Sequence, residues 1–223
     1  MLVMPIQLAT TAEILACQTE HLPELLRSPH PDLQRACRAV REEEFGTAEL
    51  EDAGLAVASF LARYRDLTGA GGAVAANQIG ERRAVIAFAP VGAGTFAPEE
   101  VTLMYNPFMR GSGGSELFAE VCMSSVHIAA VVVRQKVLDM GFRRVDGEGE
   151  AVQFAGLDSA RGQHEMDHLD GVQCLQRAIP GGVHPIERSD EVPGIKDAYM
   201  AAYGTTLGKP VPFDPALLRP VTT

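Results

Sequence analysis

Gln163-His164-Glu165-Met166-Asp167-His168-Leu169-Asp170-Gly171 decides the reading of this chain. On a helix, residues four apart lie one above the other, so His164 and His168 can aim ring nitrogens at a single cation. Glu165 is rotated by about 100° from its neighbour. It can therefore reach a water beside that cation without taking a coordination position, the general-base arrangement of helical His-Glu-x-x-His sites. The competing reading is an exposed amphipathic helix whose two histidines have no metal role. A catalytic site also needs a third ligand, a donor for developing negative charge and a walled pocket, and the rest of the chain has to supply them.

Working outward, 223 residues with 46% hydrophobic content suffice for one domain with a substantial core plus terminal extensions. No apolar run approaches 18 residues and the start lacks a secretory pattern, so no membrane span is expected and the expected location is cytoplasmic. Cys17, Cys37, Cys122 and Cys174 stand far apart without C-x-x-C spacing, which argues against a zinc ribbon and a disulfide framework. A formal charge of −10 speaks against nonspecific binding to nucleic acid or an anionic membrane.

Residues 1–27 read as an N-terminal extension with a short helix, bounded by the Ser28-Pro29-His30-Pro31 turn. From Thr47, a plausible N-cap, apolar residues recur at spacings of three and four to Leu67, giving a scaffold helix that ends near Gly69. Residues 83–89 and 101–105 read as strands, the second ending at Asn106-Pro107, and 126–138 supplies more strand. The motif helix follows at about 158–171. Strands giving way to a helix, without repeated βαβ units, indicate an α+β fold. A catalytic domain over 28–180 then leaves residues 181–223 as a Pro-rich tail that wraps the domain, with one helical candidate at 194–203.

Two further stretches precede the helix: Gly71-Gly72-Ala73-Val74-Ala75-Ala76-Asn77-Gln78-Ile79-Gly80 and Glu120-Val121-Cys122-Met123-Ser124. With the histidine motif, these resemble the three ordered signatures of the peptide deformylases: G-φ-G-φ-A-A-x-Q-φ-G, E-G-C-φ-S and Q-H-E-x-D-H-φ-x-G, φ being apolar. The resemblance runs from about residue 25 to 180 and takes in Met104-Tyr105-Asn106-Pro107 and Gly156-Leu157. It implies antiparallel strands packed around a central motif helix. Cys122 would be the third ligand beside His164 and His168, holding one divalent metal: ferrous iron first, with zinc, nickel or cobalt able to replace it. Glu165 would move the proton, and the Gln78 carboxamide with the Met123 N–H would stabilise the oxyanion as an N-formyl group leaves as formate. Gly71, Gly72, Ala73, Glu120, Leu157, Ala160 and Arg161 fall on the substrate side. An ion pair between Glu120 and Arg134 is expected to support the Cys122 loop.

The chain departs from those signatures at several points. Ala73 and Val121 replace glycines, and a valine at positive φ would be strained. Before the motif helix the usual apolar run reads Leu157-Asp158-Ser159-Ala160-Arg161-Gly162-Gln163. There Arg161 opposes the helix dipole if it lies in the first turn, and Gly162 opens space. Arg161 either points to solvent or meets a polar or anionic group of an unusual substrate. From residue 180 onward Arg188, Lys196, Lys209 and Arg219 face Glu187, Asp190, Glu191, Asp197 and Asp214, so docking on ribosomal RNA through this tail is not expected. Three alternatives stand beside a formyl-methionyl peptide deformylase. They are a specialist for another formylated peptide or small molecule, a non-catalytic metal-binding homologue, and a zinc endopeptidase with its third ligand downstream at His184.

Overall fold

The computed structural model describes residues 10–89 and 94–203. In chain order these form α1 (Thr11–His21), α2 (Ala48–Thr68), β1 (Ala73–Ala75), β2 (Val85–Phe88), β3 (Thr102–Val121), β4 (Ile128–Arg143) and β5 (Gly149–Ala155). The motif helix α3 (Gly156–Leu169), a single turn α4 (Cys174–Arg177), β6 (Ala178–Pro185) and α5 (Val192–Tyr203) complete them. These strands pair antiparallel in the order β1-β2-β3-β4-β5, with β6 pairing β4 over Ile128–Val132 while β5 takes Val137–Arg143. The expected α+β fold with antiparallel strands is thus present.

Strand period separates two packed layers. Val74, Val85, Ala87 and Tyr105 turn to one face and pack with Leu50, Val57, Phe60 and Leu61 of α2. Ala73, Ala75, Ile86, Phe88 and Met104 turn to the other, where Leu138, Met140, Phe154 and Leu169 complete a second core around α3. The scaffold helix begins where Thr47 accepts from the Leu50 N–H at 3.3 Å and stops at Gly69, which adopts the left-handed conformation with φ of 70°.

Several boundaries differ from the sequence expectation. Asn106-Pro107 does not end a strand: β3 continues for 20 residues to Val121, with register shifts between Tyr105 and Gly111. Asn106 sits at φ 48°, and its carboxamide bonds both the N–H and the carbonyl of Val40, satisfying a bulge in place of a turn. On either side of the expected boundary at 27/28 the backbone is tied to the domain, Leu26 N–H donating to the Gln78 carbonyl at 2.7 Å and Ser28 N–H to the Ser124 carbonyl at 2.8 Å. Likewise β6 runs across the expected boundary at 180/181. Residues 1–9 of the extension and 204–223 of the tail lie outside the described residues.

Candidate metal centre

The β3–β4 hairpin and the motif helix bring the three signatures together. Val121 pairs with Ala129 at the hairpin end, so Cys122 to His127 forms its tip, and Cys122 is buried at 3% exposure. Helix α3 is packed on the sheet by Gln163, whose carboxamide reads both the N–H and the carbonyl of Gln135 on β4 at 3.0 Å. Ser159 Oγ adds a bond to the same carbonyl at 2.8 Å. Gly162 leaves no gap: a Cβ there would meet Leu138 at 3.0 Å and Met140 at 3.1 Å, so the glycine lets helix and strand close up. At the other end Asn77 donates to the His168 carbonyl at 2.6 Å, a use for the residue beside Gln78. Gly171, at φ 74°, turns the chain where a Cβ would strike the backbone of Gln34 and Arg35 at 2.8 Å.

These contacts hold one ligand atom each from Cys122, His164 and His168 within 4.8 Å of one another. Cys122 Sγ lies 3.1 Å from His168 Nε2. His164 turns its Nδ1 to Glu120 Oε2 at 2.9 Å, which leaves Nε2 as its ligand atom. The Glu120 carboxylate in turn takes the Arg134 guanidinium in a fork at 2.8 and 2.9 Å, and Arg134 reaches Asp167 at 2.6 Å, which Arg177 also contacts. Burial alone would raise Glu120, yet the Arg134 fork and His164 hold it at about 2. Burial would also raise the Cys122 thiol, but the imidazoles of His168 and His164 outweigh it and draw the group well below its ordinary range. A thiolate with two imidazoles suits zinc, iron, nickel or cobalt and leaves a tetrahedral position free for water. A second grouping of Glu120, His164 and Cys174 fits poorly, because burial pushes the Cys174 thiol up to about 12 and Glu120 is already engaged.

A cavity of about 290 Å³ opens beside this cluster. Glu165 lines it, buried, with Oε2 lacking a partner among the described residues; burial raises its carboxyl above the ordinary range. Such an orphaned acceptor fits a site that takes a water or substrate group. Gln78 also lines the cavity. Its Oε1 accepts from Ala75 N–H at 3.0 Å, and its Nε2 faces Cys122 Sγ at 3.4 Å and Ser124 Oγ at 3.1 Å. Met123, Gly71, Gly72, Ala73, Glu120, Leu157, Ala160 and Arg161 line the same cavity with Cys122 and His164, while His168 stands behind them against Cys122 Sγ and is not part of the lining. His184 does not line it either. It pairs with the Tyr199 hydroxyl at 2.9 Å, outside the ligand group, which leaves the endopeptidase alternative without a third ligand.

The departures from the signatures acquire physical roles here. Asn106 is the only non-glycine at positive φ among the described residues, so Val121 is unstrained, and Ala73 sits buried in β1 opposite Phe88. Arg161 falls in the second turn of α3, which starts at Gly156, and bonds Asp158 of the first turn at 2.9 Å. Its guanidinium lies against Gly72, where a Cβ would meet Cζ and Nε at 2.9 Å. Arginine at 161 and glycine at 72, where the signature has an apolar residue, therefore fit one another. Gly71 is likewise required, by φ 93° and by the Tyr64 ring.

Sequence reasoning missed two walls. Ile14 of α1 and Ser189 of the tail also line the cavity. They are brought there by a clasp in which Thr11 N–H donates to the Glu187 carbonyl at 2.8 Å and Thr11 Oγ1 to the Ile186 carbonyl at 3.3 Å. No local pattern announces such a long-range contact; the Thr10/Glu13 capping box fixes only where α1 begins.

Comparison with known proteins gives this geometry its context. A family model described as polypeptide deformylase matches residues 22–182. The chain is similar to a peptide deformylase of Chlorobium phaeobacteroides, 30% identical over 121 residues that cover 54% of this chain and 63% of that protein. It is also similar to the chloroplastic peptide deformylase 1A of Solanum lycopersicum, 26% identical over 184 residues, covering 76% of this chain and 64% of that protein. The chain thus spans a little under two thirds of the length of these relatives. Among solved structures, a peptide deformylase from Legionella pneumophila superposes with a TM-score of 0.61 at 21% identity, covering 80% of this chain and 95% of that one. An actinonin-bound class I type b enzyme from Acinetobacter baumannii gives 0.60 at 22%, covering 70% and 97%. At such identities the structural likeness establishes the fold. With the family model spanning the three signatures and the cluster they build, this chain belongs to the polypeptide deformylase family.

Proposed function

We propose that this chain is a metal-dependent amidohydrolase that removes the N-formyl group from a formyl-methionyl peptide and releases formate. The observation that carries the reading is the Cys122/His164/His168 group, able to hold a metal ion, beside a cavity lined by the buried Glu165, whose Oε2 has no partner among the described residues. A divalent cation held by those three side chains, ferrous iron first and zinc or nickel as substitutes, supplies Lewis acidity toward water and the formyl oxygen. Glu165 accepts a proton from the attacking water as its oxygen bonds to the formyl carbon. It returns that proton to the amine nitrogen as the C–N bond breaks, leaving formate and a free amine. Burial keeps its carboxyl closer to neutrality than an ordinary glutamate, which suits both halves of this transfer. In this reading the Gln78 carboxamide and the Met123 N–H serve as donors to the formyl oxygen, each worth about 2.7–4 kcal/mol in comparable sites. Met-Ala-Ser bound to the Acinetobacter baumannii enzyme supports a peptide substrate. The free cysteines fit a reducing, cytoplasmic setting, and no helix among the described residues is long and apolar enough to cross a membrane.

One observation favours a second reading. Among the described residues Arg161 is the sole arginine or lysine in the cavity lining, and its guanidinium poorly matches a methionine thioether. A formylated substrate with a carboxylate near the scissile bond would complement it. Formate release by anaerobically iron-loaded protein, compared between formyl-Met-Ala-Ser and formylated acidic peptides, separates the two. No formate from any of them, with the metal bound, assigns the chain to non-catalytic binding. If Arg161→Leu leaves the preference between the two substrate types unchanged, the acidic-substrate reading falls.

A further inference from the structure

Helix α1 lies outside the residues matched by the family model, yet its Gln18 is fully buried. The Gln18 carboxamide donates from Nε2 to the Met123 carbonyl at 3.0 Å and approaches the Tyr64 hydroxyl at 3.4 Å. That carbonyl shares one peptide group with the Ser124 N–H, which points at Cys122 Sγ 3.4 Å away. A peptide group is a rigid plane, so gripping its oxygen fixes the direction of its hydrogen.

We propose that Gln18 is a positioning residue for the Cys122 thiolate, acting through the Met123–Ser124 peptide. The inference rests on the metal-centre reading above. Donation into the Met123 carbonyl polarises the peptide and strengthens its N–H as a donor. An N–H aimed at the thiolate withdraws electron density from sulfur, so Gln18 governs how strongly Cys122 donates to a cation. The cost of placing an amide here points the same way. Gln18 Oε1 has no partner among the described residues, and an apolar side chain of equal length would fill the space without that desolvation penalty. The relay is anchored at its outer end, because the Thr11 clasp to residues 186 and 187 and the Thr10 capping box fix α1 in place. Residues that orient metal ligands from behind change metal affinity by about 10–100-fold when removed. Gln18 supplies such support from a segment the family model leaves out.

Gln18→Met keeps length and helix propensity while deleting the donor. Cobalt-loaded Gln18→Met is expected to show its thiolate-to-cobalt absorption at longer wavelength than wild type and, because lost orientation of the ligand outweighs the stronger sulfur donation, a cobalt affinity about 10–100-fold weaker in chelator competition. Thr19→Ala, on the outer side of α1, should move neither. In wild-type protein loaded with cadmium-113, the Ser124 amide proton should show scalar coupling to the metal through Cys122 sulfur. This measurement tests the last link of the relay whether or not Gln18→Met folds. An unmoved band with unchanged affinity in folded Gln18→Met, or no coupling at Ser124, overturns the role of Gln18 alone. Failure of wild type to take up cobalt removes the metal-centre reading itself.

Discussion

Arg134→Met should destabilise the metal-free chain by about 3–5 kcal/mol at pH 7, because it strips a buried cation from two buried carboxylates. Side-chain exposure is 5% for Arg134, 9% for Glu120 and 10% for Asp167, so solvent screens little of the interaction. Linkage gives an independent size. Glu120 is held at about 2, against roughly 4.3 for an unfolded glutamate, and a difference of this order is worth about 3 kcal/mol. The sign follows from the depressed value: this stability is fully present above the unfolded pKa and disappears as pH falls through about 2. His164 still contacts Glu120 and Arg177 still contacts Asp167 in the variant, which places the loss toward the lower figure. Urea unfolding of wild type and variant, repeated from pH 7 down to pH 2, should show the gap between them narrowing below about pH 4. The double variant Glu120→Gln with Arg134→Met should recover about 1–2 kcal/mol, because one stranded charge is gone. A loss under about 1 kcal/mol at pH 7, or a gap independent of pH, would refute the reasoning.

Glu165→Gln should retain metal, measured by elemental analysis, while formate release falls by about 10²–10⁴-fold; residual activity near wild type would remove Glu165 as proton carrier. Gly72→Ala should change melting by little, because the atoms it meets are the flexible end of Arg161. It should nonetheless alter selectivity between acidic and methionyl formyl substrates in competition assays, by displacing the guanidinium. Gly171→Ala meets backbone at positive φ, so calorimetry should report a loss of about 2 kcal/mol or more.

The parts of this molecule that were legible in its sequence are those set by local chemistry. Thr47 and Gly69 bracket α2 because a hydroxyl cap and a left-handed glycine act within one turn. The motif helix was readable from its spacing, though two residues out of register at its start, since Gly156 hides the first turn. The long hairpin was not readable. Asn106-Pro107 and the glycines at 111, 113 and 114 look like turn residues, and only pairing with β4 overrides that preference. In the site, the signatures brought forward the ligands and Glu165, but Ile14, Gln18 and Ser189 enter through contacts between segments over a hundred positions apart. Arg161 was visible as an anomaly, whereas its fit against Gly72 needed the third dimension.

The clasp between Thr11 and residues 186–187 joins the two flanks of the family domain at one point. Neither flank frays on its own terms: releasing the tail frees the first turn of α1, and losing that turn loosens Ile14 and the grip of Gln18. Helix α1 and residues 186–187 are thereby expected to open as one cooperative unit, at a free energy below that of global unfolding. Trimming the chain to residues 22–182 would leave both cores in place and remove that unit entirely. Amide exchange at Thr11 and at Ser124 in the full chain is then expected to report one event, because opening of the clasp and release of the Met123–Ser124 peptide would be coupled.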